Sequence, residues 1–169
     1  GEPGGADGAA IVDDLRERGL IHDVTDEEAL RARLAQGPIT LYAGFDPTAD
    51  SLHVGHLVPL LLLRRFQDFG HRPIAVAGGA TGMVGDPSGR SSERNLLDDA
   101  TLDRNLAAIK VQLQAFLDFS PGPCQAVLAD NRTWTAPLSV IDFLRDVGKH
   151  FPVNVMLAKD SVRSRLEGD

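Results

Sequence analysis

Several residue types that large classes of protein depend on are scarce in this sequence. Its 169 residues include a single cysteine, Cys124, so no internal disulfide can form and a thiolate-based zinc site is excluded. The longest apolar run, residues 57–63, is far shorter than the ~20 residues that span a bilayer. No signal peptide is recognisable. We therefore expect a soluble, cytoplasmic protein without a membrane partner.

An excess of basic residues is also missing. The chain has 24 acidic and 17 basic residues and a net charge of −7, which argues against a surface that grips nucleic acid over its whole extent. A local basic patch remains compatible with this balance. Aromatic residues make up only 5%, but the hydrophobic total of 43% is enough for a real core. The length fits one compact domain or part of a larger one.

What the chain does contain is an alternation of strand-like and helix-like segments. Short apolar runs predict strands at 39–45, 73–79 and 124–130. Helical patterns cover 9–19, 25–37, 54–70, most of 94–119, 138–148 and 153–168. Strands that alternate with helices of this length predict an α/β fold, a Rossmann-like doubly wound parallel sheet with flanking helices.

The segment before the first predicted strand has helix start and stop signals. Thr25 and Glu28 have the spacing of a capping box, and Gly19 is typical of a helix end. We therefore divide the chain into a flexible Gly-rich segment (1–8), an N-terminal helical segment (9–36) and a Rossmann-like nucleotide-binding domain (37–169).

The first candidate site follows the first predicted strand, in "LYAGFDPTADSLHVGHL" (41–57). His53 and His56 fall in the first turn of a predicted helix, whose free N–H groups and dipole suit phosphate. Gly55 between them would let a flat ring lie against the backbone. The alternatives are two polar residues at an exposed helix start or a weak metal site, although a catalytic zinc would need a third ligand.

The second candidate site follows the second predicted strand, in "GGATGMVGDPSGR" (78–90). Five glycines in these thirteen residues predict a loop whose backbone is open to close approach. The stretch lacks the Gly-Lys-Ser/Thr ending of a phosphate-binding loop and the dinucleotide fingerprint. Taken alone, it fits a plain surface loop as well as a ligand loop.

Together these stretches resemble the class I aminoacyl-tRNA synthetases. "YAGFDPTADSLHVGH" is similar to their His-Ile-Gly-His motif in the form typical of bacterial tyrosyl-tRNA synthetases, with Val54 replacing the commoner isoleucine. "GGATGMVGDPSGR", "SSER" and "FLRDVGKHFPVNVMLAKDSVRSRLE" continue the resemblance in the same order, from about residue 10 to the end. It implies that 37–169 is an incomplete catalytic domain that includes the start of the connective segment.

The resemblance also implies an activity and roles for individual residues. The activity is activation of tyrosine with ATP, accompanied by Mg²⁺ but without a protein-bound metal, followed by transfer of tyrosine to its tRNA. The implied catalytic residues are Thr48, His53, His56, Arg90 and Arg94. The implied ATP site comprises Gly44, Asp46, Pro47, Thr48, His53, Gly55 and His56. The implied tyrosine pocket comprises Tyr42, Thr81, Asp86 and Asn131, with Trp134 lining or supporting it.

The resemblance implies partners as well. It implies a homodimer, with a weak tRNA contact at Lys159, while Arg163 and Arg165 fit a solvated helix face. The lysine-rich loop that the family supplies to pyrophosphate is not in this chain, so we expect the chain alone to be inactive. Two alternatives are another His-x-Gly-His nucleotidyl transferase that makes an acyl-adenylate without tRNA, and a non-catalytic nucleotide-binding module.

Overall fold

A computed structural model describes residues 8–47, 49–84, 99–157 and Val162. The strands are β1 (Thr40–Phe45), β2 (Arg72–Ala77) and β3 (Val127–Asp130). The α-helices are α1 (Ile11–Glu17), α2 (Glu27–Leu34), α3 (Val54–Asp68), α4 (Gly79–Val84), α5 (Asp99–Gln114), α6 (Arg132–Thr135), α7 (Val140–Asp146) and α8 (Val153–Leu157). Two 3₁₀ turns lie at Gly8–Ala10 and Gly148–His150. Within the described ranges, no helix is both long and apolar enough to cross a membrane.

The three strands form one parallel sheet in the order β1-β2-β3. In the register of the sheet, Tyr42 lies beside Ile74, which in turn lies beside Val127. Helix α3 connects β1 to β2, and α5 lies in the connection from β2 to β3. Parallel strands joined through helices confirm the predicted Rossmann-like α/β fold.

The main core lies between one face of the sheet and the helices α3 and α5. Side chains alternate between the two faces of a strand, so Leu41, Ala43 and Phe45 share one face of β1. This face packs with buried residues of α3 and α5, among them Leu60, Leu63, Ile109 and Leu113. On the opposite face of β1 the Tyr42 side chain is 73% exposed, so that face is open.

The N-terminal helices pack on the C-terminal half of α3. Ile11 and Leu15 of α1 and Leu34 of α2 form a second buried cluster with Phe66. At its edge, Arg65 of α3 donates two hydrogen bonds to the carboxylate of Asp14, at 2.6 and 2.7 Å. These bonds are the largest influence on the pKa of Asp14 and lower it below its ordinary value. Residues 9–36 are therefore tied to the sheet through α3.

The predicted capping box at the start of α2 is wrong. The N-cap is Asp26, whose Oδ1 accepts a hydrogen bond from the Ala29 backbone N–H at 2.9 Å. Asp26 has an extended backbone, and its carboxylate also interacts favourably with the positive end of the helix dipole. Asp26, not Thr25, is therefore the residue that caps α2.

Two short helices were not predicted from the sequence. Residues 79–84, expected to be part of a glycine-rich loop, form α4, and α6 occupies residues 132–135. Helices this short show too little periodicity to stand out. Glycine is a poor helix former, but a Cβ on Gly82 would come within 2.8 Å of Leu102 on α5. Close packing therefore takes precedence over propensity in α4.

A buried glutamine ties α3 to the turn before β3. The Nε2 of Gln67 donates to the backbone oxygens of Asp118 and Cys124, both at 2.7 Å, and its Oε1 accepts from the Asp118 N–H at 2.9 Å. Only 7% of Gln67 is exposed, so water cannot easily replace these partners. The side chain satisfies backbone groups that no strand or helix pairs.

We predict that Gln67→Met destabilises the fold. Methionine has a similar length but leaves the Asp118 N–H and the Cys124 oxygen without this partner, which costs about 1–3 kcal/mol in free energy of unfolding. The Asp118 oxygen keeps its hydrogen bond from the Ala126 N–H. Equilibrium urea unfolding of the purified chain measures the loss. Gln114→Met, at an exposed position of α5, is the control and should change stability little. Equal stability of the two variants would contradict the prediction.

Candidate active site

The ends of the three strands converge on one edge of the sheet. The backbone N–H of Gly78 donates to the Phe45 oxygen at 2.9 Å, and that of Asn131 donates to the Ala77 oxygen at 3.1 Å. These bonds continue the strand pairing past the last residues of the strands. Asp46, Gly78 and Asn131, from three connections, are therefore neighbours at the carboxyl edge, where such sheets hold their ligands.

The turn after β2 packs closely against the side chains of Thr81 and Asp46, and glycine fits there without displacing them. A Cβ on Gly78 would lie 2.4 Å from Thr81 Oγ1 and 2.8 Å from Asp46 Oδ1. The Thr81 hydroxyl can donate to the Gly78 oxygen at 3.0 Å or to Asp46 Oδ1 at 3.3 Å. The structure thus brings together Asp46, assigned to the ATP site, and Thr81, assigned to the tyrosine pocket.

Asn131 holds the start of α4 against the end of β3. Its Oδ1 accepts from the Ala80 N–H at 2.7 Å, which leaves the amide nitrogen as the group that can be offered to a ligand. Next to it, Asp130 accepts from the Arg132 N–H at 3.0 Å and lies 3.7 Å from Lys110. Sequence reasoning missed Asp130, although an acidic residue at the end of an apolar strand was a signal.

The two histidines cap the start of α3. His53 is the N-cap, and its Nδ1 accepts from the Gly55 N–H at 3.1 Å. The Nδ1 of His56 accepts from the His53 N–H at 3.2 Å, and the two rings stack with centroids 3.8 Å apart. A ring nitrogen that accepts a hydrogen bond holds no proton, so both imidazoles are neutral with the proton on Nε2. Each ring therefore has an Nε2–H group that can donate to a ligand.

Gly55 allows this arrangement. A Cβ at this position would lie 2.9 Å from Cε1 and 3.0 Å from Nδ1 of His53. In the structure the ring of His53 lies against Gly55. That a flat ring of a ligand also lies against this backbone stays a prediction. Any larger residue would push that ring away from the helix start.

The protonation of His56 is biased by its surroundings. Burial lowers its pKa below the ordinary value of 6.5, and the positive charge of a protonated His53 lowers the pKa further. The charge of Asp46 acts in the opposite direction. His56 therefore stays neutral at pH 7, which keeps its Nδ1 available to the backbone of His53.

The remaining predicted site residues divide into four groups. Tyr42 and Gly44 lie on the open face of β1, and nothing lies within 4 Å of a Cβ built on Gly44. Pro47 is buried, and its oxygen accepts from Nδ2 of Asn105 at 3.0 Å. Trp134 on α6 is 54% exposed. The predicted site residues outside the described ranges are Thr48, Asp86, Arg90, Arg94 and Lys159; Arg163 and Arg165 lie outside them as well.

A parallel sheet with a capped helix start and a glycine-containing turn at its carboxyl edge defines the Rossmann-like class of α/β proteins. Within that class the sequence is specific. The model of the family described as "tRNA synthetases class I (W and Y)" matches residues 34–169, so the chain belongs to this family. This confirms the family that the motifs predicted.

Individual relatives agree with the family match. The chain is 67% identical to a tyrosine–tRNA ligase of Opitutus terrae and 59% identical to one of Nocardia farcinica, each over 94% of this chain and 37% of the relative. The chain thus spans little more than a third of the length of these relatives. A C-terminally truncated mitochondrial tyrosyl-tRNA synthetase of Aspergillus nidulans superimposes with a TM-score of 0.81 at 31% identity, over 93% of this chain and 47% of that chain.

We predict opposite shifts of the His56 pKa in two variants. His53→Ala should raise it, because the variant removes both the neighbouring charge and the stacked ring that shields His56 from water. Asp46→Asn should lower it, because a carboxylate that favours the charged imidazole is lost. Ring ¹⁵N chemical shifts followed from pH 4 to 8 measure both, with His22, an exposed histidine between α1 and α2, as an internal reference. Shifts in the same direction would contradict the predicted electrostatics.

Proposed function

We propose that the chain is the N-terminal part of the catalytic domain of a tyrosine–tRNA ligase, with residues 9–36 as its N-terminal helical segment. The complete protein would join tyrosine to ATP as tyrosyl-adenylate, release pyrophosphate, and then transfer tyrosine to its tRNA in the cytoplasm. The observation that supports this best is the stacked histidine pair. Two neutral rings offer Nε2–H donors at a helix start, on the sheet edge where nucleotides bind.

The chemistry of adenylate formation suits these donors. An oxygen of the tyrosine carboxylate bonds to the α-phosphorus of ATP, while the bond from that phosphorus to pyrophosphate breaks. Negative charge develops on the departing group, and transfers of this kind depend on positioning and charge stabilisation more than on a general base. We propose that His53 and His56 donate to the phosphate oxygens as this charge develops.

The other proposed ATP contacts lie at the same carboxyl edge of the sheet. Gly44 leaves the backbone of β1 accessible to the nucleotide, and Gly55 contributes by making room for the His53 ring. Asp46 and Pro47 start the connection that leads to the histidines. We also place Thr48, Arg90 and Arg94 at the phosphates of ATP, as further contacts. Mg²⁺ would arrive bound to the phosphate oxygens of ATP, because this ion prefers oxygen ligands and two imidazoles do not provide them.

The tyrosine site is proposed on the open face of the sheet. Tyr42 and Gly44 lie on this face of β1, next to Ile74 and Val76 of β2 in the sheet register. Gly44 leaves room for a flat ring over the strand, and the neighbouring apolar side chains suit it. The Tyr42 hydroxyl would then meet the substrate phenol, while Thr81, Asp86 and Asn131 would hold the ammonium end.

A homodimer is proposed through α7 and α8. Large apolar side chains are exposed along this part of the chain, at Val140, Ile141, Leu144, Phe151, Val153 and Val155. So many exposed apolar side chains within one stretch of the chain are typical of a protein interface. Lys159, which follows α8, is the proposed contact with tRNA.

The role of the histidines predicts a specific kinetic effect. In the complete ligase, His53→Ala and His56→Ala should each lower the single-turnover rate of adenylate formation by about 10²-fold, as loss of one preorganised donor commonly does. The Kd values for ATP and tyrosine should change far less, because a donor that acts on developing charge contributes little to ground-state binding.

His22→Ala is the matched control for these variants and should leave the rate unchanged. A loss confined to the Kd for ATP would show that the histidines bind nucleotide without assisting the reaction. Absence of any tyrosine-dependent exchange between ATP and pyrophosphate in the unsubstituted ligase would overturn the proposed function itself.

The open-face pocket predicts a change in amino-acid preference. Tyr42→Phe removes one hydrogen bond to the substrate phenol, which is worth about 0.5–1.5 kcal/mol, so selection of tyrosine over phenylalanine should weaken by about two- to thirteen-fold. The ratio of kcat/KM values for the two amino acids measures it. Gln114→Met, at an exposed position of α5, is the control and should leave the ratio unchanged. An unchanged ratio in Tyr42→Phe would remove Tyr42 from the pocket.

A further inference from the structure

The connection from β1 to α3, residues 46–53, is held by side chains of α5. Gln112 uses both ends of its carboxamide: Oε1 accepts from the Leu52 N–H at 2.9 Å, and Nε2 donates to the Asp50 oxygen at 3.0 Å. Asn105, seven residues earlier and thus two turns away on the same face of α5, donates to the Pro47 oxygen at 3.0 Å. Both ends of the connection are therefore fastened to one helix.

The Gln112 contact lies next to the proposed reactive group. Leu52 immediately precedes His53, the N-cap of α3. The hydrogen bond from the Leu52 N–H to Gln112 therefore fixes the backbone directly before His53. His53 has an extended backbone, and its ring reaches back to the Gly55 N–H. A shift of the Leu52 peptide would therefore move the His53 ring and the stacked His56 ring with it.

Gln112 lies beside His53 in a mostly apolar environment. It lines a pocket of about 330 Å³ together with His53, and the other side chains there are apolar, among them Leu57 and Phe116. Residues 49–51 are exposed, so core packing holds the connection only at its two ends, through buried Pro47 and through Leu52. The carboxamide of Gln112 pairs the Leu52 N–H and the Asp50 oxygen, while the Ser51 hydroxyl donates to the Leu52 oxygen at 3.1 Å.

We propose that Gln112 is a positioning residue for His53: its carboxamide clamps the Leu52 and Asp50 backbone so that the His53 Nε2–H points to the phosphates. The inference rests on the proposed function, because it assigns His53 to the reaction. Gln112 itself contacts neither substrate nor reacting atoms. Its effect on the rate passes through the histidine.

The test uses Gln112→Met in the complete ligase, with Gln114→Met as the control on an exposed position of α5. Single-turnover adenylate formation should slow about ten-fold in Gln112→Met, since displacement of a catalytic group by about 1 Å can cost up to 10²-fold. The Kd values for ATP and tyrosine should stay near those of the unsubstituted ligase. Gln112→Glu retains the acceptor for the Leu52 N–H but loses the donor to the Asp50 oxygen. Its rate should therefore lie between the rates of Gln112→Met and Gln114→Met.

A double-mutant cycle separates positioning from a general structural role. In a His53→Ala background, Gln112→Met should slow the reaction less than two-fold, because the group it positions is already gone. An undiminished ten-fold loss in that background would overturn the proposal, since Gln112 would then act independently of His53. A normal rate in the single variant Gln112→Met would overturn it as well.

Hydrogen–deuterium exchange provides a readout that does not depend on activity. A peptide covering residues 46–57 should exchange faster in Gln112→Met than in Gln114→Met, because the Leu52 N–H loses its acceptor. Equal exchange would show that the clamp is absent and would overturn the proposal. An unsubstituted ligase without tyrosine-dependent exchange of pyrophosphate would instead overturn the proposed function, and the positioning role with it.

Discussion

The structure depends on the burial of one face of a parallel sheet beneath α3 and α5. Side chains of β1 and β2, such as Phe45 and Ala75, share a dry core with Leu60 of α3 and Leu113 of α5. Burial of apolar area is the dominant favourable contribution to folding, so this contact sets where both helices lie. Helix α3 begins at the carboxyl edge of the sheet, and α5 packs beside it. The same packing therefore decides where the histidines of α3 meet Gln112 of α5.

At that edge the histidines have a structural role and, in the proposed function, a chemical one. Their Nδ1 atoms accept backbone N–H groups at the start of α3, which would otherwise lack partners. The same bonds fix both rings as neutral tautomers whose proton is on Nε2. A helix cap that orients hydrogen-bond donors in this way needs no reorganisation when a phosphate arrives, which is the condition for effective charge stabilisation.

We assign the surfaces that α3 and α5 leave uncovered to the binding of the proposed ligands and partners. The face of β1 that carries Tyr42 is open, and the exposed apolar side chains of α7 and α8 form a separate surface. The relatives are far longer than this chain, which covers 37% of their length. An open sheet face beside a glycine is a natural place for an aromatic substrate, whereas an apolar helical surface is a natural place for another protein chain.

The sequence by itself determined the alternation of strands and helices, the parallel sheet and the family, because apolar periodicity, turn residues and motif spacing are local properties of the chain. It could not determine that Asp26 caps α2 or that residues 79–84 form a helix. Nor could it show that Gln112 supports His53, since the Gln112 and Leu52 groups that pair are 60 residues apart in sequence. Only the tertiary structure decided these features, because each depends on which distant backbone groups packing brings within reach of one side chain.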